Sequence, residues 1–235
     1  MFGGGVLGGG AAARNDPYYS SVKLLLRGEG ASIVDDIGHV METEGTTVPA
    51  ISAAQARFGT SSIFFSGSNS TLYTGDSPDW TIGNNSYTVD LWFYTDRSPS
   101  MQYGGMLFYQ GGSAGSSSTV TNVLRMEYGK LLWHPDYQNY PGNLSLFTTT
   151  IFGATWNHVA LVRDGVNFKL YVNGVLEVEA TKAVTIIDSN ERIKFGGMGS
   201  PTFYHPLLAY IDHFRFTNGV ARWTANFTPP TVSDY

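Results

Sequence analysis

The chain of 235 residues contains no cysteine, so neither a disulfide framework nor a thiolate metal site is available to it, and packing alone must hold the fold together. Charge is scarce as well: only 14% of residues are Asp, Glu, Lys or Arg, and the formal net charge is −5. Lys and Arg form no cluster able to neutralise a phosphate backbone, which argues against nucleic acid as a partner. No apolar run is long enough to span a bilayer as a helix, so membrane insertion is not expected. The opening Met1-Phe2-Gly3-Gly4-Gly5-Val6-Leu7 lacks the basic and unbroken apolar regions of a secretory leader, and the expectation is a protein made in the cytoplasm without a signal peptide. Strong helix formers are few, and Ile51-Ser52-Ala53-Ala54-Gln55-Ala56 is the one stretch whose composition suggests a helical turn.

What the chain has in their place is β-forming and turn-forming residues: 28 Gly, 14% aromatics and 42% hydrophobic residues overall. That is an all-β composition with enough apolar material for one substantial core. Between Trp156 and Leu176, three apolar-rich runs are separated by Asp164-Gly165 and Asn173-Gly174, dipeptides that supply the positive φ angles of tight hairpin turns. The pattern predicts a meander in which Phe168, Leu170 and Val172 share one face while Lys169 and Tyr171 point the other way. Further strands are expected at 22–27, 61–66, 70–74, 87–95, 105–110, 121–127, 130–134, 191–196 and 208–216, with residues 110–119 as a low-complexity loop. Short strands with Gly, Ser and Asn turns between them are what two stacked antiparallel sheets require. Residues 1–16 stand apart as a Gly-rich N-terminal arm and 17–235 as a single β-sandwich domain; the arm is either a flexible tail or, the favoured reading, a segment docked on a neighbouring subunit or partner.

The stretch Trp156-Asn157-His158-Val159-Ala160-Leu161-Val162-Arg163-Asp164-Gly165, continuing through Lys169-Leu170-Tyr171-Val172-Asn173-Gly174, resembles the middle of laminin-G-like, concanavalin A-like jelly-roll domains. Tyr87–Tyr94 is similar to the early inner strand of that family and Arg57–Gly67 to the strand and turn before it. Tyr210–Trp223, with Asn226-Phe227-Thr228-Pro229-Pro230, resembles the closing strand as it occurs in bacteriophage structural proteins. The resemblance implies a two-sheet antiparallel jelly roll in a virion protein, capsid-decorating or tail-associated. Its implied partners are other virion proteins through the N-terminal arm, further copies of itself, and host-surface glycans. The same fold also serves glycan-degrading enzymes and free lectins, so fold alone does not decide between them.

Glycoside hydrolysis needs two carboxylates flanking the scissile bond, and the Glu-x-Asp-x-Glu pattern of the fold's hydrolases is missing. Glu42/Glu44 and Glu177/Glu179 are the nearest pairs; residues two apart share a strand face, and the second pair reads as solvated. With no Cys, no G-x-S-x-G elbow and five scattered His, nucleophilic catalysis has no support either, and no catalytic residues are assigned. His213 and its neighbour Asp212 are expected to face opposite sides of their strand. No cofactor is expected, calcium being the one that the family resemblance leaves open, with Asp35-Asp36 and Asp76 with Asp79 as loop candidates. The best glycan-binding candidates are Trp133, Asp136, Tyr137, Asn139 and Tyr140, where aromatics suited to stacking on sugar C–H faces lie beside amide and carboxylate groups. The alternative for this stretch is that Trp133 belongs to the core and the tyrosines cover loop backbone. Asp90 and Trp92, on one face of a strand with Thr88 and Tyr94, and Tyr204 in a second aromatic loop are secondary candidates.

Overall fold

The computed structural model describes residues 16–68, 70–98, 102–111, 120–136, 144–188, 192–197 and 205–231. The arm through residue 15, most of the loop at 110–119, and Tyr137, Asn139, Tyr140 and Tyr204 lie outside these. Among the described residues, two antiparallel sheets stack into a sandwich. The first has eight strands: β1 (Val22–Leu26), β3 (Ala50–Ser52), β4 (Ser62–Ser66), β6 (Tyr87–Tyr94), β11 (Trp156–Asp164), β12 (Asn167–Val172), β13 (Val175–Thr181) and β15 (Leu208–Asn218). The second has seven: β2 (Met41–Glu44), β5 (Thr71–Thr74), β7 (Tyr103–Gln110), β8 (Thr121–Glu127), β9 (Lys130–Asp136), β10 (Leu146–Phe147) and β14 (Ile193–Gly196). The first sheet runs β13-β12-β11-β6-β15-β4-β3, and β1 pairs with the second half of β15 beyond the end of β4.

Alternation builds the core, broken in β7 where a register shift brings both Leu107 and Phe108 inward. Tyr87, Val89, Leu91 and Phe93 of β6, Val159 and Leu161 of β11, Phe168, Leu170 and Val172 of β12, and Phe214 and Phe216 of β15 all point inward with Leu107, Phe108, Leu124, Leu131 and Trp133 of the facing sheet. Asn173 and Gly174 both hold positive φ, 50° and 79°, as a type I′ turn demands. The preceding turn differs from expectation. Asp164 still pairs with Asn167, so the central residues are Gly165 and Val166, and Gly165 alone carries the positive φ of 60°, a type II′ pattern.

Three short strands, β2, β3 and β10, went unanticipated, and the expected helical turn at 51–56 is absent. Ile51 instead pairs with Ile63 and packs on the core, because a β-branched side chain opposite another on a sheet edge outweighs the weak helix preference of the alanines that follow. A bulge in β13 corrects a second reading. Leu170 pairs with Val178 but Tyr171 with Leu176, so Val178 packs inward while Leu176 joins an outer apolar cluster. Glu177, at that bulge, accepts hydrogen bonds from the backbone N–H groups of Thr149 and Thr150 at 2.8 and 3.2 Å, which, with the threonine hydroxyls, overcome its partial burial and hold its carboxyl below the usual range.

Both ends of the described chain lie over one half of the first sheet's outer face. After β15 the chain crosses β6, β11, β12 and β13 in turn: Thr88 Oγ1 donates to Val220 O, Lys169 Nζ to Thr224 O, Leu176 N–H to Asn226 Oδ1, and Phe227 N–H to Gly174 O. A Cβ on Gly174 would lie 1.9 Å from Phe227 O, so glycine is required there by the crossing segment as well as by the turn. Trp223 and Phe227 stack on each other at 4.0 Å and cover Ala160, Val162 and Tyr171. Among the described residues no helix is long and apolar enough to cross a membrane.

Candidate functional site

The candidates from sequence separate into two groups. Trp133 is fully buried; its ring stacks on Phe168 with centroids 4.9 Å apart, and its Nε1–H donates to Asn122 Oδ1 at 2.8 Å. It is a core residue and presents no surface to a sugar, which corrects its place among the glycan contacts. Asp136 closes β9 opposite Thr121. Trp92 is only 5% exposed.

Asp90 shares an outward strand face with Thr88, Trp92 and Tyr94, as expected, but the terminal segments cover it. Its two carboxylate oxygens accept from Arg215 Nε and Nη2 at 3.0 and 2.9 Å, and His158 Nε2 lies 3.4 Å away. Arg215 Nη1 also reaches Asp16 at 3.3 Å, and Asp16 takes a two-pronged contact from Arg222 at 2.8 Å on each oxygen. Burial alone would raise the Asp90 pKa, but the Arg215 charge and the His158 contact prevail and hold it well below the usual carboxylate range. Burial lowers the pKa of His158. The adjoining cleft, about 250 Å³ and lined by Asp16, Tyr18, Arg215, Arg222 and Trp223, contains one carboxylate already bound to two guanidinium groups. A groove of about 390 Å³ between the edge strands β2 and β3 contains none. Neither cleft offers the carboxylate pair that glycoside hydrolysis requires.

Three of the four calcium candidates, Asp35, Asp36 and Asp79, are engaged within the protein. Asp35 accepts the N–H groups of Leu25, Ile37, Gly38 and His39, and Asp36 pairs with Arg27. Asp79 pairs with Lys23 at 3.1 Å, and the His39 ring bridges Asp35 and Asp79. Among the described residues no group of three or more His, Asp or Glu could hold a metal ion.

On the half of the first sheet's outer face that the described terminal segments leave open, the strand register assembles something that no single stretch of sequence displays. Phe64 of β4 pairs with Tyr210 of β15, Tyr210 with Tyr94 of β6, and Tyr94 with Trp156 of β11. Four aromatic rings therefore stand in one row across four adjacent strands, with successive centroids 4.7, 6.0 and 5.9 Å apart. All four are half-buried, each presenting part of its ring to solvent. With strands about 4.8 Å apart the row spans about 14 Å.

Beside the row, one layer down, Arg57 lies with its guanidinium 4.1 Å from the Trp92 ring centroid and 4.9 Å from that of Phe58. Its backbone is fixed from below, since Asp212 Oδ2 accepts the N–H of Arg57 at 2.9 Å and of Phe58 at 3.1 Å. Asp212 is wholly buried, and its other oxygen meets His213 Nδ1 at 2.5 Å. This contact corrects the expectation that the two side chains diverge. The ladder between β15 and β6 shifts after Asp212, and His213 takes a φ of 50°, so a bulge turns the histidine back beside its neighbour. The His213 ring then packs edge-on against Phe58 at 4.9 Å.

A family profile described as the concanavalin A-like lectin/glucanases superfamily, of laminin-G type, matches residues 66–224. The chain belongs to this superfamily. No curated protein matches it in sequence. Among solved structures, the superfamily fold recurs in the binding domain of Paraclostridial Mosquitocidal Protein 1, with 15% identity and a TM-score of 0.65 over 86% of this chain and 50% of that one. The botulinum neurotoxin serotype D/C VPI 5993 binding domain has 14% identity and a TM-score of 0.62 over 86% and 50%. The botulinum neurotoxin type G receptor binding domain has 15% identity and a TM-score of 0.60 over 88% and 49%. The chain thus spans about half the length of these structures, and at this identity the likeness is one of fold. Membership makes the protein a lectin-like β-sandwich, and its structural neighbours are binding domains.

Proposed function

We propose that this chain is a non-enzymatic glycan-binding module of a virion, capsid-decorating or tail-associated. The observation that carries the glycan reading is the row Phe64, Tyr210, Tyr94 and Trp156, a rigid platform of half-exposed rings on a sheet, of the kind on which the C–H faces of successive sugar rings stack. Aromatics fixed on strands lose little freedom when a ligand arrives, which favours binding over adaptation. Paired carboxylates are missing from both clefts, and this supports retention of a glycan without its cleavage. The virion assignment is supported by the resemblance at 210–230, whose last part is the segment that crosses the outer face. In this reading the N-terminal arm joins the domain to other virion proteins in a multicopy assembly, and the aromatic row faces the host. The loop containing Asp136, Tyr137, Asn139 and Tyr140, together with Tyr204, is a second contact region.

The test is a panel of immobilised polysaccharides read for retention of the protein and for release of new reducing ends. Retention without cleavage, lost in Tyr94→Ala and Trp156→Ala proteins of unchanged melting temperature, is the expected result. New reducing ends would make the protein a hydrolase, and retention indifferent to both substitutions would remove the row from the site. For the assembly role, deletion of residues 1–15, stopping short of Asp16 because it is bound by Arg222, should leave a folded domain that no longer copurifies with particles. Unchanged copurification would refute the anchoring.

A further inference from the structure

We infer that the glycan held by the aromatic row is an acidic one, its carboxylate or sulfate group received by Arg57. This rests on the glycan reading above and adds the class of sugar. Arg57 is exposed, and among the described residues no carboxylate pairs with it. That is unusual company for a cation on a chain whose formal net charge is −5. Nor is the side chain left to sample solvent freely. Its backbone N–H is bound by the buried Asp212, and the peptide beyond it is held where Glu29 accepts the N–H of Thr60 at 3.0 Å. The guanidinium carbon lies over the Trp92 ring. A guanidinium held over an aromatic ring keeps a planar fork available to a two-oxygen acceptor, which a lysine ammonium does not reproduce.

The position relative to the row is also set by the fold. Trp92 and Tyr94 project from the same face of β6 two residues apart, a separation of about 7 Å, so the cation sits beside the middle of the aromatic platform. A sugar stacked on Tyr94 and Tyr210 would place a ring substituent toward Arg57. Because the overall charge of the chain repels polyanions, such a ligand is not gathered by a general field and must be recognised by this local cation.

The experiment measures affinity for four probes: polygalacturonate, its carboxyl-reduced neutral form, dextran sulfate and dextran. The expected result is preference for an acidic probe over its neutral counterpart, with Arg57→Gln lowering the affinity for the acidic probe about tenfold to a hundredfold and so abolishing the preference. Polygalacturonate and dextran sulfate distinguish carboxylate from sulfate. Arg57→Lys, which keeps the charge but not the stacked fork, should recover only part of the loss. Equal affinity for acidic and neutral probes, lost in Tyr94→Ala but not in Arg57→Gln, would overturn the acidic assignment and leave the glycan site standing. Failure of every probe to bind, with Tyr94→Ala indistinguishable from the parent, would overturn both.

Discussion

Replacing Arg215 with alanine should be among the most damaging single changes in this protein, although Arg215 touches no ligand. Arg215 is 1% exposed and Asp90 is not exposed at all, so the substitution strands a carboxylate in the interior after removing two hydrogen bonds at 3.0 and 2.9 Å. Breaking a buried pair from one side costs about 3–5 kcal/mol, and for a chain of this length that lowers the melting temperature by roughly 10 °C. Urea unfolding followed by tryptophan fluorescence reads the loss directly. The paired substitution Asp90→Leu with Arg215→Met should recover much of it, since Asp16 keeps Arg222 and no buried charge is left without an opposite one, although His158 Nε2 loses its contact with Asp90. The difference between parent and Arg215→Ala should also shrink with acid. In the parent, Asp90 sits below its unfolded pKa, and its contribution is present above that value and lost as pH falls through the carboxylate range. In the variant the Arg215 charge no longer offsets burial, so the carboxyl shifts upward and protonation relieves the penalty. A loss below about 1 kcal/mol at neutral pH, or a difference independent of pH, would refute the reasoning by showing that water or a rearranged neighbour already compensates Asp90.

Two further outcomes follow from buried groups. Burial, with the nearby Arg125 charge, pushes His205 down to about 4, and burial also lowers His158; histidines kept neutral in the fold contribute fully above the unfolded value near 6.5 and lose that contribution on the way down. The unfolding free energy should therefore fall between pH 6.5 and 4, by up to about 3 kcal/mol for His205 alone, and a urea midpoint that stays flat across that window would contradict the burial of both rings. Trp133→Ala should destabilise by about 3–5 kcal/mol through the cavity it leaves and through the loss of one of the two donors to Asn122 Oδ1, the other being Tyr87. The folded fraction should retain glycans like the parent, and selective loss of binding without loss of stability would return Trp133 to the site.

The strands were legible wherever alternation ran for six or more residues between turn dipeptides, as in β6, β11, β12 and β15. The edge pieces β2, β3 and β10 were not, although β5 and β14 are as short as β2, because at a sheet edge so few residues show no clear alternation and owe their form to pairing with a single neighbour. The site was less visible for a related reason. Trp92 and Tyr94 could be placed on one face from spacing alone, but Phe64, Tyr210 and Trp156 join them only through inter-strand register, which no local pattern specifies. Arg57 was hidden further, since its orientation depends on Asp212 some 155 residues away. Trp133 misled because the sequence after it, from His134 to Asn143, is rich in polar residues and proline, whereas the strand period carries its own ring inward. The Asp212–His213 contact was missed because a bulge breaks the very alternation on which the expectation rested.

The position of β15 has a consequence for synthesis. Residues 208–218 form the middle of the first sheet, bonded on one side to β6 and on the other to β4 and β1. During translation all of those partners emerge well before the strand that joins them, and at about 5–20 residues per second the nascent chain waits on the order of ten seconds with β6 and β4 carrying open hydrogen-bonding edges. The ribbon β6-β11-β12-β13 and the pair β3-β4 can form before it, but they are joined to each other and to β1 only when this late strand docks along three others. Pairings so distant in sequence are intrinsically slow to form, and until β15 arrives the open edges of β6 and β4 are available for wrong pairing.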